Sequence, residues 1–112
     1  MRVLVVDDDA DIGESTVMLL ELSGHEARHA RSGLEVTGTL GSFAPDVVLQ
    51  DVNMPGLDLQ ATVRACRAAV PGVKVMLFTG SVDGEALVEE AGADGVLAKP
   101  FHVDELLSLL GA

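Results

Sequence analysis

Four short apolar runs in this chain each end on a residue able to do chemistry, and that recurrence constrains the fold more than any other feature. The clearest is Asp46-Val47-Val48-Leu49-Gln50-Asp51-Val52-Asn53-Met54-Pro55-Gly56. Three apolar residues and an amide lead into a carboxylate, and Pro and Gly then break the segment, as in a buried strand that hands an acid to a loop. Val3-Leu4-Val5-Val6 likewise ends in Asp7-Asp8-Asp9, Val73 to Phe78 ends in Thr79-Gly80, and Gly95-Val96-Leu97-Ala98 ends in Lys99-Pro100. In an open parallel sheet, ligands bind at the carboxyl ends of the strands. A single acid after a strand reads most simply as a solvated turn residue. Asp, Asp, Thr and Lys at four strand ends read as one site.

Between these runs the period changes from strand to helix. Asp11 to Ser23 repeats at helical spacing through Ile12, Thr16, Leu19 or Leu20, and Ser23, with Gly13 weakening its first turn and Gly24 as a stop. His25 to Ala30 alternates and is polar, which suits a short edge strand with solvated histidines. Ser32 caps a second helix with a Val36, Leu40 and Phe43 stripe; Gly38 and Gly41 make it the least secure helix, expected to be short or mobile. A third helix, from about Asp58 to Ala69, carries Leu59, Val63, Cys66 and Val70 on one face, so Cys66 reads as a packed thiol. Thr79-Gly80-Ser81 reads as a loop, Asp83 to Ala91 as a fourth helix closed by Gly92. The last helix points Val103, Leu106, Leu107 and Leu110 inward and leaves Leu109 as an exposed apolar spot.

Five strands alternating with five helices predict an α/β fold: a doubly wound, five-stranded parallel sheet in a three-layer, flavodoxin-like sandwich. The polar second strand belongs at an edge, which favours the order 2-1-3-4-5. The first and third strands are then neighbours at the switch point, and Asp7, Asp8 and Asp51 share a crevice.

Size and charge narrow the chemistry. A chain of 112 residues, 48% of them hydrophobic and 3% aromatic, suits one domain with a core of Val, Leu, Ala and Met. Its single Cys cannot form an internal disulfide, and a reduced, cytoplasmic setting is the simplest expectation. No apolar run approaches the roughly 18 residues needed to cross a bilayer. With 18 acids against 7 Lys plus Arg, the net charge of −11 repels phosphate backbones and argues against direct nucleic-acid binding.

Three carboxylates in one crevice need a compensating charge. A hard divalent cation, most simply Mg²⁺, supplies it through oxygen ligands and is usually shared with a phosphate. Lys99 suits a phosphoryl oxygen as a point charge, Thr79 can donate a hydroxyl to another, and Gly80 leaves room near the backbone. Asp51 is then a candidate nucleophile, in a site built to stabilise a phosphoryl group in transfer.

At these residues the chain resembles a known family over essentially its whole length: the receiver domains of two-component response regulators. The resemblance rests on Val5-Val6-Asp7-Asp8-Asp9, Asp51-Val52-Asn53-Met54-Pro55-Gly56, Thr79-Gly80, Ala91-Gly92-Ala93-Asp94 and Ala98-Lys99-Pro100-Phe101. It implies that Asp51 accepts a phosphoryl group from a sensor histidine kinase or phosphotransfer protein. It also implies Mg²⁺ on the Asp8 and Asp51 side chains and the Asn53 backbone carbonyl, with Asp7 acting through a water. Thr79 and Lys99 would contact the phosphoryl oxygens, and the Lys99-Pro100 bond would be cis. The domain would assist its own charging and discharge without turning over a separate substrate. Its readout would pass to a downstream protein target or a homodimer through the fourth helix, last strand and last helix.

Three positions depart from the family pattern. Val96 stands three residues before the Lys, where an aromatic that changes rotamer is common; Val is stiff and small, so an aromatic flip is expected to be absent. Leu59 replaces the usual Gly after an acid, which bears on the path of the Asp51 loop. Gln50 replaces the usual apolar residue before the acceptor. Two other readings compete. One is a small Mg²⁺-dependent phosphohydrolase resembling haloacid-dehalogenase-like phosphatases, with its nucleophile among Asp7-Asp8-Asp9. The other is an interaction module that never uses phosphate. The sequence reads as a single receiver domain over 1–112 with no effector domain.

Overall fold

Runs of Val and Leu with both faces covered pair into a five-stranded parallel sheet, and a helix carries the chain from each strand to the next. A computed structural model describes residues 1–80 and 83–110. Ser81, which closes the expected Thr79-Gly80-Ser81 loop, and the Gly111-Ala112 end lie outside the described residues. The elements are β1 (Arg2–Val6), α1 (Ala10–Leu22), β2 (Glu26–Ala30), α2 (Gly33–Phe43), β3 (Val47–Asp51), α3 (Leu59–Ala69), β4 (Lys74–Thr79), α4 (Gly84–Ala91), β5 (Gly95–Ala98) and α5 (Val103–Leu109). The strands lie in the order β2-β1-β3-β4-β5. Val6 is level with Ala30 on one side and Gln50 on the other, and Asp51 with Phe78.

Alternation along the strands sorts the core into two layers. Leu4, Val6, Val48 and Val75 meet Val36, Leu40, Phe43, Val63 and Cys66 under α2, α3 and α4. Val3, Val5, Leu49, Met76 and Phe78 meet Leu20, Leu106 and Leu110 under α1 and α5. Cys66 is fully buried, and that burial raises its thiol pKa, as befits a packing residue. Caps set the helix starts: the Asp9 carboxylate accepts from the N–H groups of Asp11 (2.9 Å) and Ile12 (3.2 Å), and that of Asp58 from Ala61 N–H at 3.0 Å. With Asp58 in that role, α3 begins at Leu59, whose side chain packs against the α2–α4 layer.

Several expectations need correction. Thr79 ends β4 as a strand residue, with its carbonyl accepting from Lys99 N–H at 2.8 Å; it is not part of a loop. In α1 the buried stripe is Gly13, Thr16 and Leu20, while Ile12 and Leu19 are exposed. Gly13 on that stripe faces the His29 side chain of β2, which lies where a Cβ would be. In α5, Leu109 packs against the core and Val103 is the exposed apolar residue. Seven residues make only two turns, too few for a stripe to define its angle. The α2 helix is not short: it runs for 11 residues despite its glycines, anchored by Val36, Leu40 and Phe43.

Candidate functional site

The carboxyl ends of β1, β3, β4 and β5 open onto one crevice, and each contributes a polar side chain. Asp7 follows β1 and is 1% exposed; Asp51 ends β3 at 2% and Thr79 ends β4 at 0%. Lys99 follows β5 and reaches back across the sheet ends, its Nζ donating to Asp7 Oδ2 at 3.1 Å and to Asp51 Oδ1 at 3.3 Å. One ammonium therefore bridges two buried carboxylates and offsets part of the cost of burying their charges. The Lys99-Pro100 peptide bond is cis.

The carboxylates are held from the backbone as well. Asp7 Oδ1 accepts from Asp9 N–H at 2.9 Å, and Asp51 Oδ1 from Asn53 N–H at 3.2 Å. Burial is the largest influence on Asp51 and raises its pKa above the ordinary carboxyl value. The Asp7 charge pushes in the same direction, while the Asn53 N–H and the Lys99 ammonium pull it down without cancelling the rise. A carboxylate with a raised pKa is a stronger nucleophile once ionised.

Asp8 completes the acidic group from the exposed side. Asp7, Asp8 and Asp51 each present a carboxylate oxygen, and the three lie within 4.8 Å of one another. This donor set suits a hard cation: Mg²⁺ takes oxygen ligands, typically one or two carboxylates, and keeps water and phosphate oxygens on its other positions. Asp9, the third acid of its run, is committed to capping α1. A Cβ on Gly80 would come no closer than 3.9 Å to Lys99, so that residue leaves ordinary space beside the site.

The supporting contacts of four residues were not legible in the sequence. Phe78 lies beneath Lys99, with Nζ 4.3 Å from its ring centroid, and Phe101 meets Phe78 edge-on at 5.3 Å. The long cationic side chain is thus steered by an aromatic floor. His29, expected to be solvated, is half-buried and donates from Nε2 to the Asp7 carbonyl oxygen at 2.7 Å. Its imidazole fills the space that a Cβ on Gly13 would take. Asp94 ties the far end of β4 by accepting from Val75 N–H at 2.8 Å and from Arg67 Nη2 at 3.0 Å. A glycine in the first turn of a helix was the available sign of close approach at Gly13. Nothing in the spacing pointed to Phe78.

Of the three departures, Gln50 is fully buried and donates from Nε2 to the Asp51 carbonyl at 2.9 Å. Val96, on β5, faces the first residue of α4: a Cβ on Gly84 would lie 2.9 Å from Val96 Cγ2 and 3.4 Å from Thr79 Cγ2.

Residues 3–111 match the family model for the response regulator receiver domain. The transcriptional regulatory protein PrrA of Mycobacterium tuberculosis is 42% identical over 113 residues, covering 99% of this chain and 48% of that protein. The response regulator MprA of Mycobacterium avium is 36% identical over 114 residues, covering 100% of this chain and 50% of that protein. The chain thus spans about half the length of the curated relatives it matches. Among solved structures, chemotaxis protein CheY4 of Vibrio cholerae superposes with a TM-score of 0.86 at 30% identity, covering 98% of this chain and 95% of that one. A CheY-like receiver domain protein of Methanospirillum hungatei gives 0.85 at 28%, covering 98% and 90%.

Proposed function

The chain belongs to the response regulator receiver domain family of two-component signalling, and from that premise we propose that Asp51 is its phosphoacceptor. The observation that carries the assignment is the Lys99 bridge: among the described residues, the one cation in the crevice meets Asp51 and Asp7 together. In the proposed transfer an Asp51 carboxylate oxygen attacks the phosphorus of a phosphohistidine on a partner kinase or phosphotransfer protein. A P–O bond forms, the P–N bond breaks, and its electron pair returns to the imidazole. Lys99 and the Thr79 hydroxyl receive the phosphoryl oxygens. The Asp8 and Asp51 side chains and the Asn53 carbonyl would hold Mg²⁺, with Asp7 acting through a water, and the cation would neutralise the carboxylates against the incoming phosphoryl charge. Attack of water on the acyl phosphate later frees Asp51, so the domain resets without a separate substrate. It is a signalling domain, not a turnover enzyme.

For readout, α4 is the favoured element. Gly84 packs directly on Val96 and the Thr79 methyl, so a displacement of Thr79 reaches α4 by contact, with no aromatic rotamer involved. Backbone NMR shifts along α4 and β5 that stay unchanged on phosphorylation would sink this part. The outer face of α4, β5 and α5 exposes Glu85, Glu89, Asp104 and Glu105. Lys99, turned into the site, is the only Lys or Arg from residue 83 onward. Pairing two copies of this face would oppose like charges, so a basic downstream target suits it better than a homodimer. A cytoplasmic setting follows from the proposed kinase partner; no described helix is long and apolar enough to cross a membrane.

Incubation with acetyl phosphate and Mg²⁺ tests the assignment. One phosphoryl group, labile to hydroxylamine, is expected on the protein and none on Asp51→Asn. An unmodified wild-type protein, or equal modification of the variant, refutes it.

A further inference from the structure

Directly before the acceptor, a buried amide stands where packing alone would take an apolar side chain. Gln50 is 0% exposed and shares with Val48 the β3 face that packs under α2 and α3. The two ends of the amide are used unequally. Nε2 donates to the Asp51 carbonyl oxygen at 2.9 Å and to Met54 Sδ at 3.5 Å. Oε1 is buried and accepts no hydrogen bond from the described residues. Both partners of Nε2 only accept, so turning the amide round would set oxygen against oxygen and sulfur. A buried amide oxygen in this state is costly, and an apolar residue of similar volume would avoid the cost. What the amide adds is its donor end, and both bonds of that end go to the acceptor and its loop.

Those two bonds bracket Val52 and Asn53. The chain is tied at the Asp51 carbonyl before them and at the Met54 side chain after them, and between the two Asn53 N–H donates to Asp51 Oδ1 at 3.2 Å. Asn53 itself is exposed and lies outside any helix or strand. Its carbonyl therefore takes its direction from the residues on either side, not from a ladder of its own. We infer that Gln50 is a positioning residue: by joining the Asp51 carbonyl and the Met54 side chain to one buried amide, it fixes the peptide that presents the Asn53 carbonyl to the proposed Mg²⁺. The inference rests on that Mg²⁺ reading of the crevice. Groups that orient a metal ligand from behind typically change affinity by about 10- to 100-fold when removed. Gln50 acts on the residues flanking the ligand and not on the ligand itself, so the effect expected of it is the low end of that range, about tenfold.

Gln50→Leu and Gln50→Met supply the test, since both fill the space with apolar atoms and neither has an N–H to donate. The unphosphorylated proteins are titrated with Mg²⁺ and followed through the backbone amide NMR shifts of Asp8, Asn53 and Met54. Both variants should bind about tenfold more weakly than the wild type. In modification by acetyl phosphate, the Mg²⁺ concentration giving half the maximal rate should rise by the same factor, with a smaller change in the maximal rate itself. Wild-type affinity in either variant overturns the inference, because shape alone would then suffice. A lower maximal rate with an unchanged Mg²⁺ dependence overturns it equally, as the mark of a merely weakened core. A wild type that binds no Mg²⁺ would remove the metal reading and the role of Gln50 together, whereas equal affinities in proteins that all bind would remove the role of Gln50 alone.

Discussion

Replacing Asp51 with Asn should make the metal-free protein more stable, although it removes a salt bridge. At an effective dielectric of about 20, charges 4.8 Å apart repel by roughly 3 kcal/mol. That is the upper separation between Asp51 and each neighbouring acid, and the repulsion from exposed Asp8 is further screened. Lys99 attracts Asp51 from 3.3 Å by about 5 kcal/mol on the same scale. Attraction and repulsion therefore nearly cancel, which leaves the cost of burying a charged carboxylate unbalanced, in keeping with the raised pKa of Asp51. The substituted amide keeps an acceptor for Asn53 N–H, and Lys99 keeps Asp7 at 3.1 Å. The expected gain is about 1–2 kcal/mol near neutral pH, or roughly 4–8 °C in melting temperature for a domain of this size.

The sign with pH follows from linkage. A carboxyl group whose folded pKa lies above its unfolded value of about 3.9 favours folding most fully below that value. Its contribution is lost as pH rises through the folded pKa. The advantage of the Asp51→Asn variant should accordingly grow as pH rises through the folded pKa of Asp51 and shrink toward zero as pH falls below about 4. Calorimetry in EDTA across that range measures the gap, and a repeat in Mg²⁺ should narrow it by stabilising the wild type preferentially. A variant that melts lower than wild type in EDTA would show that the Lys99 bridge outweighs burial and refute the reasoning. An equal response of both proteins to Mg²⁺ would remove Asp51 from the metal site.

Lys99→Ala, which leaves two buried carboxylates without their cation, should cost about 3 kcal/mol in urea unfolding and raise the Asp51 pKa further, read by carboxyl ¹³C NMR. Gly13→Ala drives a methyl into the His29 imidazole and should cost about 2 kcal/mol. Most of that loss should be recovered in Gly13→Ala/His29→Ala, and a purely additive double mutant would contradict the contact. Gly38→Ala and Gly41→Ala meet nothing within 4 Å on the exposed side of α2, so each should stabilise the fold by about 1 kcal/mol, measured as a higher urea midpoint. A lower midpoint would indicate a constraint on α2 that its surroundings do not account for.

Whatever depends on residues close together in the chain was already written in its order of amino acids. Apolar runs closed by Asp, Thr or Lys marked the strands and put their polar ends on one side. The polarity of Glu26–Ala30 placed that strand at an edge, and with it the order that joins Asp7 to Asp51. Packing settled whatever depends on which face meets which partner. Periodicity gives a helix a face but not the angle at which it docks, so Ile12 and Leu109 exchanged the environments expected of them. The Lys99–Phe78 contact, the His29 imidazole over Gly13 and the Gln50 amide aimed at the Asp51 carbonyl all join residues from different segments, or depend on side-chain directions set by both neighbours. Such contacts exist only when the sheet brings the segments within a few ångströms, and no local pattern encodes that distance. The candidate acceptor was therefore legible in the chain, while the means of holding its carboxylate in place became visible only in the packed molecule.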